Sequence, residues 1–308
     1  MISTSKELIH VYRKKVTPYL KDFHQSRGTI HLYLFVCLII GAGALYSYFR
    51  GYSFFSVILL GGASFFFTMK WRSYRNRFKK RIIKRVMHEL YPEFKFKIKG
   101  DLSLNKFRET KLFMSSINRY HCEDQLEGVV GQTNFKLSEV HAKYKSSGKN
   151  SSTRTVFKGF VLEVDFHKNF IGHTVVLNDI PVKVFGKWLG EKINDISFGK
   201  LKKVKLENVE FEDRFVVHAT DAQEARYILS PKLMERILKM SHRKQEVRLS
   251  FYENKLFISL ANRKNFYEPQ LFGDIFPMKD LWAINRVICS VPEIIETLDL
   301  NTRIWTKK

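Results

Sequence analysis

"HLYLFVCLIIGAGALYSYFRGYSFFSVILLGGASFFFTM", residues 31–69, decides how the rest of the chain is read. It divides at "RGY" into two runs, 31–49 and 53–69, and neither contains Asp, Glu, Lys or Arg. A helix needs about 20 apolar residues to cross a hydrocarbon core about 30 Å thick, and both runs come close. The core helices of soluble proteins are rarely so uniformly apolar. A cleaved signal sequence is not expected either, because a long amphipathic segment precedes the first run and a second run follows at once. The expectation is a transmembrane hairpin. "GAGA" (41–44) and "GGAS" (61–64) lie at similar distances from the turn, so Gly41, Ala44, Gly61 and Ala63 are expected to let the two helices pack closely.

Charge gives the hairpin a direction. The chain has 308 residues and a formal net charge of +23. Lys and Arg outnumber Asp and Glu by five over 1–69, by ten over 70–99 and by eight over 100–308. Arg13, Lys14, Lys15, Lys21 and Arg27 precede the first run, a dense basic run follows the second, and the turn carries only Arg50. Basic residues collect on the cytoplasmic side of spans. Both termini are therefore expected in the cytoplasm, with the protein integral to the inner membrane.

Around that hairpin the chain reads as four parts: a basic amphipathic segment (1–30), the hairpin (31–69), a basic amphipathic stem with a linker (70–99), and a cytosolic domain (100–308). In the stem, Trp71, Tyr74, Phe78, Ile82, Val86 and Leu90 recur at helical spacing. Leu8, Tyr12, Val16, Tyr19 and Phe23 make a similar stripe before the first span. Arg72, Arg75, Arg77, Lys79, Lys80, Arg81, Lys84 and Arg85 occupy the rest of the stem and are read as a surface for anionic lipid headgroups. A basic helix also attracts nucleic acid. No zinc finger, RNA-recognition signature or helix-turn-helix pattern accompanies this one, so the bilayer is the expected partner and nucleic acid is not.

From 91 the pattern changes. "YPEFKFKIKGDLS" (91–103) reads as a linker punctuated by Pro92 and Gly100, and 106–120 as a short helix. Strand patterns follow at 126–145, with a turn at Gly131, and at 153–167, 172–178, 201–208 and 214–220. "DAQEARYILSPKLMERILKM" (221–240) reads as two helices. Asp221 is placed as N-cap, Glu224 at the capping-box position, and Pro231 at the start of the second helix. Residues 246–261 read as a β-hairpin turning at Glu253-Asn254, and 279–299 as a closing helix broken at Pro292. The order gives an α+β fold with a mainly antiparallel sheet, curved or barrel-like.

"YHCEDQLEG" (120–128), "GQTNFKLSEVHA" (131–142), "FKGFVLEVDFHKNFIGHTVVL" (157–177) and "FVVHATDAQEARYILSPKLMERI" (215–237) together resemble a bacterial membrane-protein family known as domain of unknown function 3137. The resemblance covers most of 107–270. It implies paired N-terminal spans before a cytoplasmic domain, and it supplies no activity, cofactor or catalytic residue.

Chemistry-bearing residues are sparse. Glu139 and His141 share a strand face, as do Asp165 and His167. If those strands pair, His141, Asp165, His167 and His173 are the candidates for a metal site or for acid–base catalysis. The simpler reading is that each histidine makes structural hydrogen bonds. "HCEDQLE" (121–127) reads as a polar strand edge or loop, since adjacent strand residues point to opposite faces. Glu224 and Arg226 read as structural. Phe257, Phe266, Tyr267 and Phe272, with Arg263 and Lys264, offer a protein-partner surface, with core packing preferred for Phe257 and Phe272. Cys37, Cys122 and Cys289 form no paired motif, which suits a reducing compartment. No nucleophile elbow, phosphate loop or cofactor motif is present, so no cofactor is expected. The leading expectation is a non-catalytic, membrane-tethered binding or scaffolding module. A metal-assisted hydrolase comes second, and nucleic-acid binding through the stem third.

Overall fold

The computed structural model describes residues 5–51, 53–148, 151–166, 169–178, 200–241, 246–262 and 264–300. It divides into two compact units: Met1–Pro92 with Asn265–Arg286, and Glu93–Lys264 with Val287–Lys308.

The first unit is built on two long helical runs. Helix α1 (Ser5–Val11) passes through a π-helical turn at Tyr12–Val16 into α2 (Thr17–Phe49). The wide turn sits where Pro18, in the first turn of α2, has no N–H to offer the carbonyl four residues back. Thr17 instead reaches Tyr12 O through both its backbone N–H and its hydroxyl. Helix α3 (Ser53–Phe78) likewise passes through a π-helical turn, Lys79–Ile83, into α4 (Lys84–Leu90). Contacts recur down the pair. Ser47 Oγ lies 2.5 Å from Ser56 Oγ, and Cys37 Sγ donates to Ala63 O at 3.3 Å. Tyr33 meets Phe66 edge-on, Phe23 meets Tyr74 and Phe78, and the Arg85 guanidinium covers the Tyr19 ring. The two runs are therefore antiparallel neighbours.

The expected apolar stripes are largely the buried ones. Tyr74, Phe78, Ile82, Val86 and Leu90 are buried, with Trp71 half-buried. Leu8, Val16 and Phe23 are buried, whereas Tyr19 is exposed and Leu20 is buried in its place. The extra residue in the π-helical turn at 12–16 changes the phase of the stripe, which a strict helical period does not anticipate.

Among the described residues the second unit holds a nine-stranded sheet in the order β1-β2-β3-β4-β9-β8-β5-β7-β6, each neighbouring pair antiparallel. The strands are β1 Lys95–Lys99, β2 Arg119–Val130, β3 Thr133–Lys145, β4 Thr153–Asp165 and β5 Thr174–Asn178. They continue with β6 Lys202–Val204, β7 Phe215–Ala219, β8 Val247–Tyr252 and β9 Lys255–Ala261. The sheet is mixed with helices as an α+β fold requires, but among the described residues it does not close: β1 and β6 are its edges. The barrel alternative is thus corrected. Helix α5 (Leu104–Glu109) and the segment after it cover one face. Leu102, Phe107, Leu112 and Ile117 pack there on Val140, Ala142, Phe157, Val161 and Phe257.

Other helices are α6 Val209–Arg214, α7 Ala222–Ile228 and α8 Pro231–Ser241, and α9, Met278–Thr297, contributes to both units. Several expectations change here. The linker at 91–103 contains edge strand β1. The helix at 106–120 shrinks to six residues, capped by the Ser103 hydroxyl. "YHCEDQLEG" lies inside a long strand, interrupted by a bulge between Glu123 and Leu126 with Asp124 at φ 50°. Strand 201–208 shortens to β6, and α6 follows it. Pro292 sits inside a continuous α9.

Candidate functional site

The proposed histidine cluster does not assemble among the described residues. His141 on β3 stands opposite His121 and Lys158. Asp165 ends β4 seven residues beyond Lys158, roughly 23 Å away at the rise of a strand and on the opposite face. His173 lies on the Asp165 side, yet it stacks on Tyr252, and Lys255 stands between Tyr252 and Asp165 in the register. That separation is two strand spacings, roughly 10 Å. His167 is outside the described residues. No group of three or more His, Cys, Asp or Glu among the described residues is placed to share a metal ion. The physical reason is register: β3 pairs with β4 so that His141 meets Lys158 rather than the carboxylate end of the strand.

Of the candidate histidines, His141 and His173 are both pulled toward the neutral form. Burial, with Lys143, Lys158 and His121 nearby, pulls His141 down to about 4. Burial pulls His173 to about 4 as well, with Lys111 adding to it and the Thr110 carbonyl opposing. His173 is the better fixed. Its Nε2 lies 2.9 Å from Ser250 Oγ and 3.2 Å from Thr110 O.

Around His173 the structure builds a junction that the sequence reading misses. The His173 backbone N–H donates to Thr220 Oγ1 at 2.8 Å, and Thr220 N–H returns to His173 O at 3.0 Å. Glu224 does not complete a capping box. Its carboxylate accepts from the N–H groups of Ile171 (2.9 Å) and Gly172 (2.7 Å), while Asp221 alone caps α7 through the N–H groups of Gln223 and Glu224. Gly172 is required by space: a Cβ there would lie 2.5 Å from Thr220 Oγ1. The signal was available in the quoted motifs, since "GHT" and "TDAQEAR" carry the resemblance and meet here. Its geometry is that of a latch, in which the Glu224 carboxylate and the Thr220 hydroxyl hold the backbone amides of 171–173.

Among the described residues of this unit, two hollows stand out. The larger, about 710 Å³, lies over β1, β2, β3, β4 and β9. Its floor is a cross-strand row, Lys95–Glu127–Lys136–Glu163, that ends on Phe257. Lys97 bridges Glu127 (2.8 Å) and Asp101 (3.0 Å), while Glu163 receives Lys255 and Lys106. Signs alternate, so the row largely neutralises itself. The smaller hollow, about 350 Å³, is lined by Leu206, Leu229 and Met234 with exposed Arg226 at its side. Burial pushes the Cys122 thiol upward, which disfavours the thiolate form that a nucleophile needs.

In the first unit, Arg72, Arg77, Lys80, Arg81, Lys84 and Arg85 are exposed. Two of the eight basic candidates are not free for lipid. Arg75 pairs with Glu268 at 2.5 Å, and Lys79 is buried. At the helix pair, Ala44 is fully buried, and a Cβ on Gly41 would touch Leu60 at 3.8 Å. The Ala63 carbonyl accepts from Cys37. A Cβ on Gly61 would meet nothing within 4 Å, so that position faces open space. Of the aromatic candidates, Phe257, Phe266 and Tyr267 are buried and Phe272 is exposed, which reverses the core reading of Phe272.

The family model described as "Protein of unknown function (DUF3137)" matches residues 155–300, so that part of the chain is similar to the DUF3137 family. The match takes in most of β4, the His173 junction and α9, and it leaves out "YHCEDQLEG" and "GQTNFKLSEVHA". No curated protein matches the chain. Among solved structures, the mycobacterial trehalose monomycolate transport factor A, TtfA, is similar at 9% sequence identity with a TM-score of 0.37. The similarity covers 73% of this chain and 97% of that one.

Proposed function

We propose that this protein is a non-catalytic, membrane-tethered module. In this reading α2 and α3 cross the inner membrane as a hairpin, both termini are cytoplasmic, and the exposed cations between Arg72 and Arg85 bind anionic headgroups. One observation carries it. Both helical runs pass the length and hydropathy test for a span, yet only 11% and 6% of their most apolar stretches are buried. Phe35, Leu38, Phe55, Val57 and Phe65 are each more than half exposed. A soluble protein rarely leaves so large a contiguous apolar surface to water. Hydrocarbon would cover it with no further protein contact.

The dimensions agree. From His31 to Phe49 an α-helix rises about 27 Å, close to the thickness of the apolar core. Tyr46, Tyr48, Phe49, Phe54 and Phe55 flank the turn at one end, and Tyr33, Trp71 and Lys70 the other. Aromatic residues favour both interfaces. Tethering gives the second unit a high local concentration at the bilayer, which suits a binding or scaffolding role. The test is extraction and topology in bacterial membranes. The chain should stay with the membrane in alkaline carbonate. Single cysteines near either terminus should be blocked only by permeant thiol reagents, and one at Gly51 by impermeant reagents. Recovery in the soluble fraction would overturn the reading.

A further inference from the structure

We propose that the loop Leu271–Asp274 is a third membrane contact: Leu271 and Phe272 enter the boundary between headgroups and acyl chains beside His31, where the apolar run of α2 begins. This rests on the membrane reading above and adds a site to it.

The loop belongs to the same unit as the two long helices, and it is fastened to them along its length. Glu268 pairs with Arg75 of α3 at 2.5 Å. The Leu271 carbonyl lies 2.7 Å from Nε2 of His31, and the Gly273 carbonyl accepts from Arg27. The Phe276 carbonyl accepts from the Tyr12 hydroxyl at 2.7 Å. The base is closed by Gln270 N–H donating to Ile275 O at 2.8 Å and by the Gln270 side chain reaching Asp280 at 2.9 Å. Gly273, at φ 74°, makes the tight reversal at the tip. A loop tied at this many points holds its tip in one place.

What the tip presents is unusual for that loop. Phe266, Tyr267, Ile275 and Phe276 are all buried, whereas Phe272 is 64% exposed. Its ring stacks on His31, centroids 5.6 Å apart and planes 17° apart. His31 is the first residue of the apolar run, and exposed Leu32 and Phe35 follow on the same helix. Tyr33 contacts Phe66 and lies under the Lys70 ammonium, so the other run leaves its apolar stretch at the same level. Phe272 thus continues the exposed apolar band at its border, where aromatic rings are most favoured. Exposed Asp274 two residues on holds the contact at headgroup depth, because a carboxylate resists the hydrocarbon. The occupant is therefore the bilayer interface.

The test uses the full chain in vesicles of phosphatidylcholine and phosphatidylglycerol. Cys37, Cys122 and Cys289 are replaced by alanine, and one environment-sensitive fluorophore is attached at Phe272→Cys, Phe35→Cys or Val129→Cys. Lipids carrying a nitroxide near the carbonyl end or near the chain terminus act as quenchers. The label at 272 should lose fluorescence mainly to the shallow nitroxide, the label at 35 to the deep one, and the label at 129 to neither. Quenching at 35 without quenching at 272 would overturn this inference and leave the membrane reading intact. No quenching at either would overturn both. The unaltered chain gives an independent check through a lipid with a photoreactive group near its headgroup. Adducts should appear on the peptide holding 268–276 as well as on α2 and α3. Adducts on the helices alone would overturn the inference.

Discussion

Replacing His173 with glutamine should remove most of one acid-sensitive contribution to the stability of the sheet unit. His173 is buried against Tyr252, with Nε2 shared between Ser250 Oγ and Thr110 O. Folded, it titrates at about 4 instead of 6.5. Between those values the unfolded chain binds a proton that the folded chain does not. Stability contributed by the neutral ring is therefore complete above pH 6.5 and falls as pH drops toward 4. Linkage puts the loss at about 2.5 kcal/mol between pH 7 and 4.5. With a urea dependence of about 2.5 kcal/mol per molar, the midpoint should fall by about 1 M over that range. The assay is urea unfolding of the full chain in detergent, followed by circular dichroism of the sheet at pH 7, 6, 5 and 4.5. His173→Gln keeps an amide near Ser250 and has nothing to protonate, so its midpoint should fall by about 1 M less than the parent's. His141, also held at about 4, remains in both proteins and supplies a common background. An unchanged acid decline in the variant would refute the assignment, whatever its stability at pH 7.

Three further outcomes follow from the same contacts. Glu224→Gln keeps one acceptor for the Ile171 and Gly172 amides and loses the charge. It should cost about 1.5–3 kcal/mol in the same urea assay and speed hydrogen exchange at both amides; unchanged exchange would show that the latch is dispensable. Gly159→Ala would put a Cβ 2.2 Å from Leu260 O and 2.9 Å from Ala261 Cα, at φ 156°. Neither backbone atom belongs to a flexible side chain, so the cost should exceed about 3 kcal/mol, read as loss of the cooperative transition. Replacing Arg72, Arg77, Lys80, Arg81, Lys84 and Arg85 with glutamine should abolish preferential retention of phosphatidylglycerol over phosphatidylcholine in nanodiscs, since each basic residue contributes up to about 1 kcal/mol near an anionic surface. Retention equal to the parent's would place the headgroup site elsewhere.

The elements that were legible in the sequence are those with one dominant signal. Two uninterrupted apolar runs, a helical stripe from Tyr74 to Leu90, and alternation in 133–145 and 153–165 each point one way. The hairpin at Glu253-Asn254 and the helix start at Pro231 are marked by local chemistry. Strand β1 was hidden because it is an edge. "KFKIK" carries lysine at alternate positions, a pattern that discourages edge pairing and reads as a solvated linker. The first half of β2 was hidden by its bulge, since the shift between Glu123 and Leu126 breaks the two-residue period that identifies a strand. Closure of the sheet could not be judged at all, because strand order depends on long-range pairing that no local pattern encodes.

The site was less legible, and Glu224 and Phe272 show why. Glu224 stands three residues after Asp221, the spacing of a capping box, and the helix does begin there. Yet two backbone amides 52 and 53 residues earlier in the chain compete for the same carboxylate and hold it. A charged acceptor serving two convergent N–H groups gains more than one closing a local box, so tertiary contact wins over a correct local rule. Phe272 fails in the opposite sense. In "FYEPQLFGDIF" four of the six large apolar side chains are buried and Leu271 is half-buried, and the same composition argument would bury Phe272. What exempts it is Gly273, which turns the chain so that its neighbour points outward while Ile275 and Phe276 return to the core. An exposed ring in a tied loop is costly in water, where Phe gains about 1.5–3 kcal/mol by burial. At the edge of an apolar band that lipid would cover, the same exposure supplies affinity.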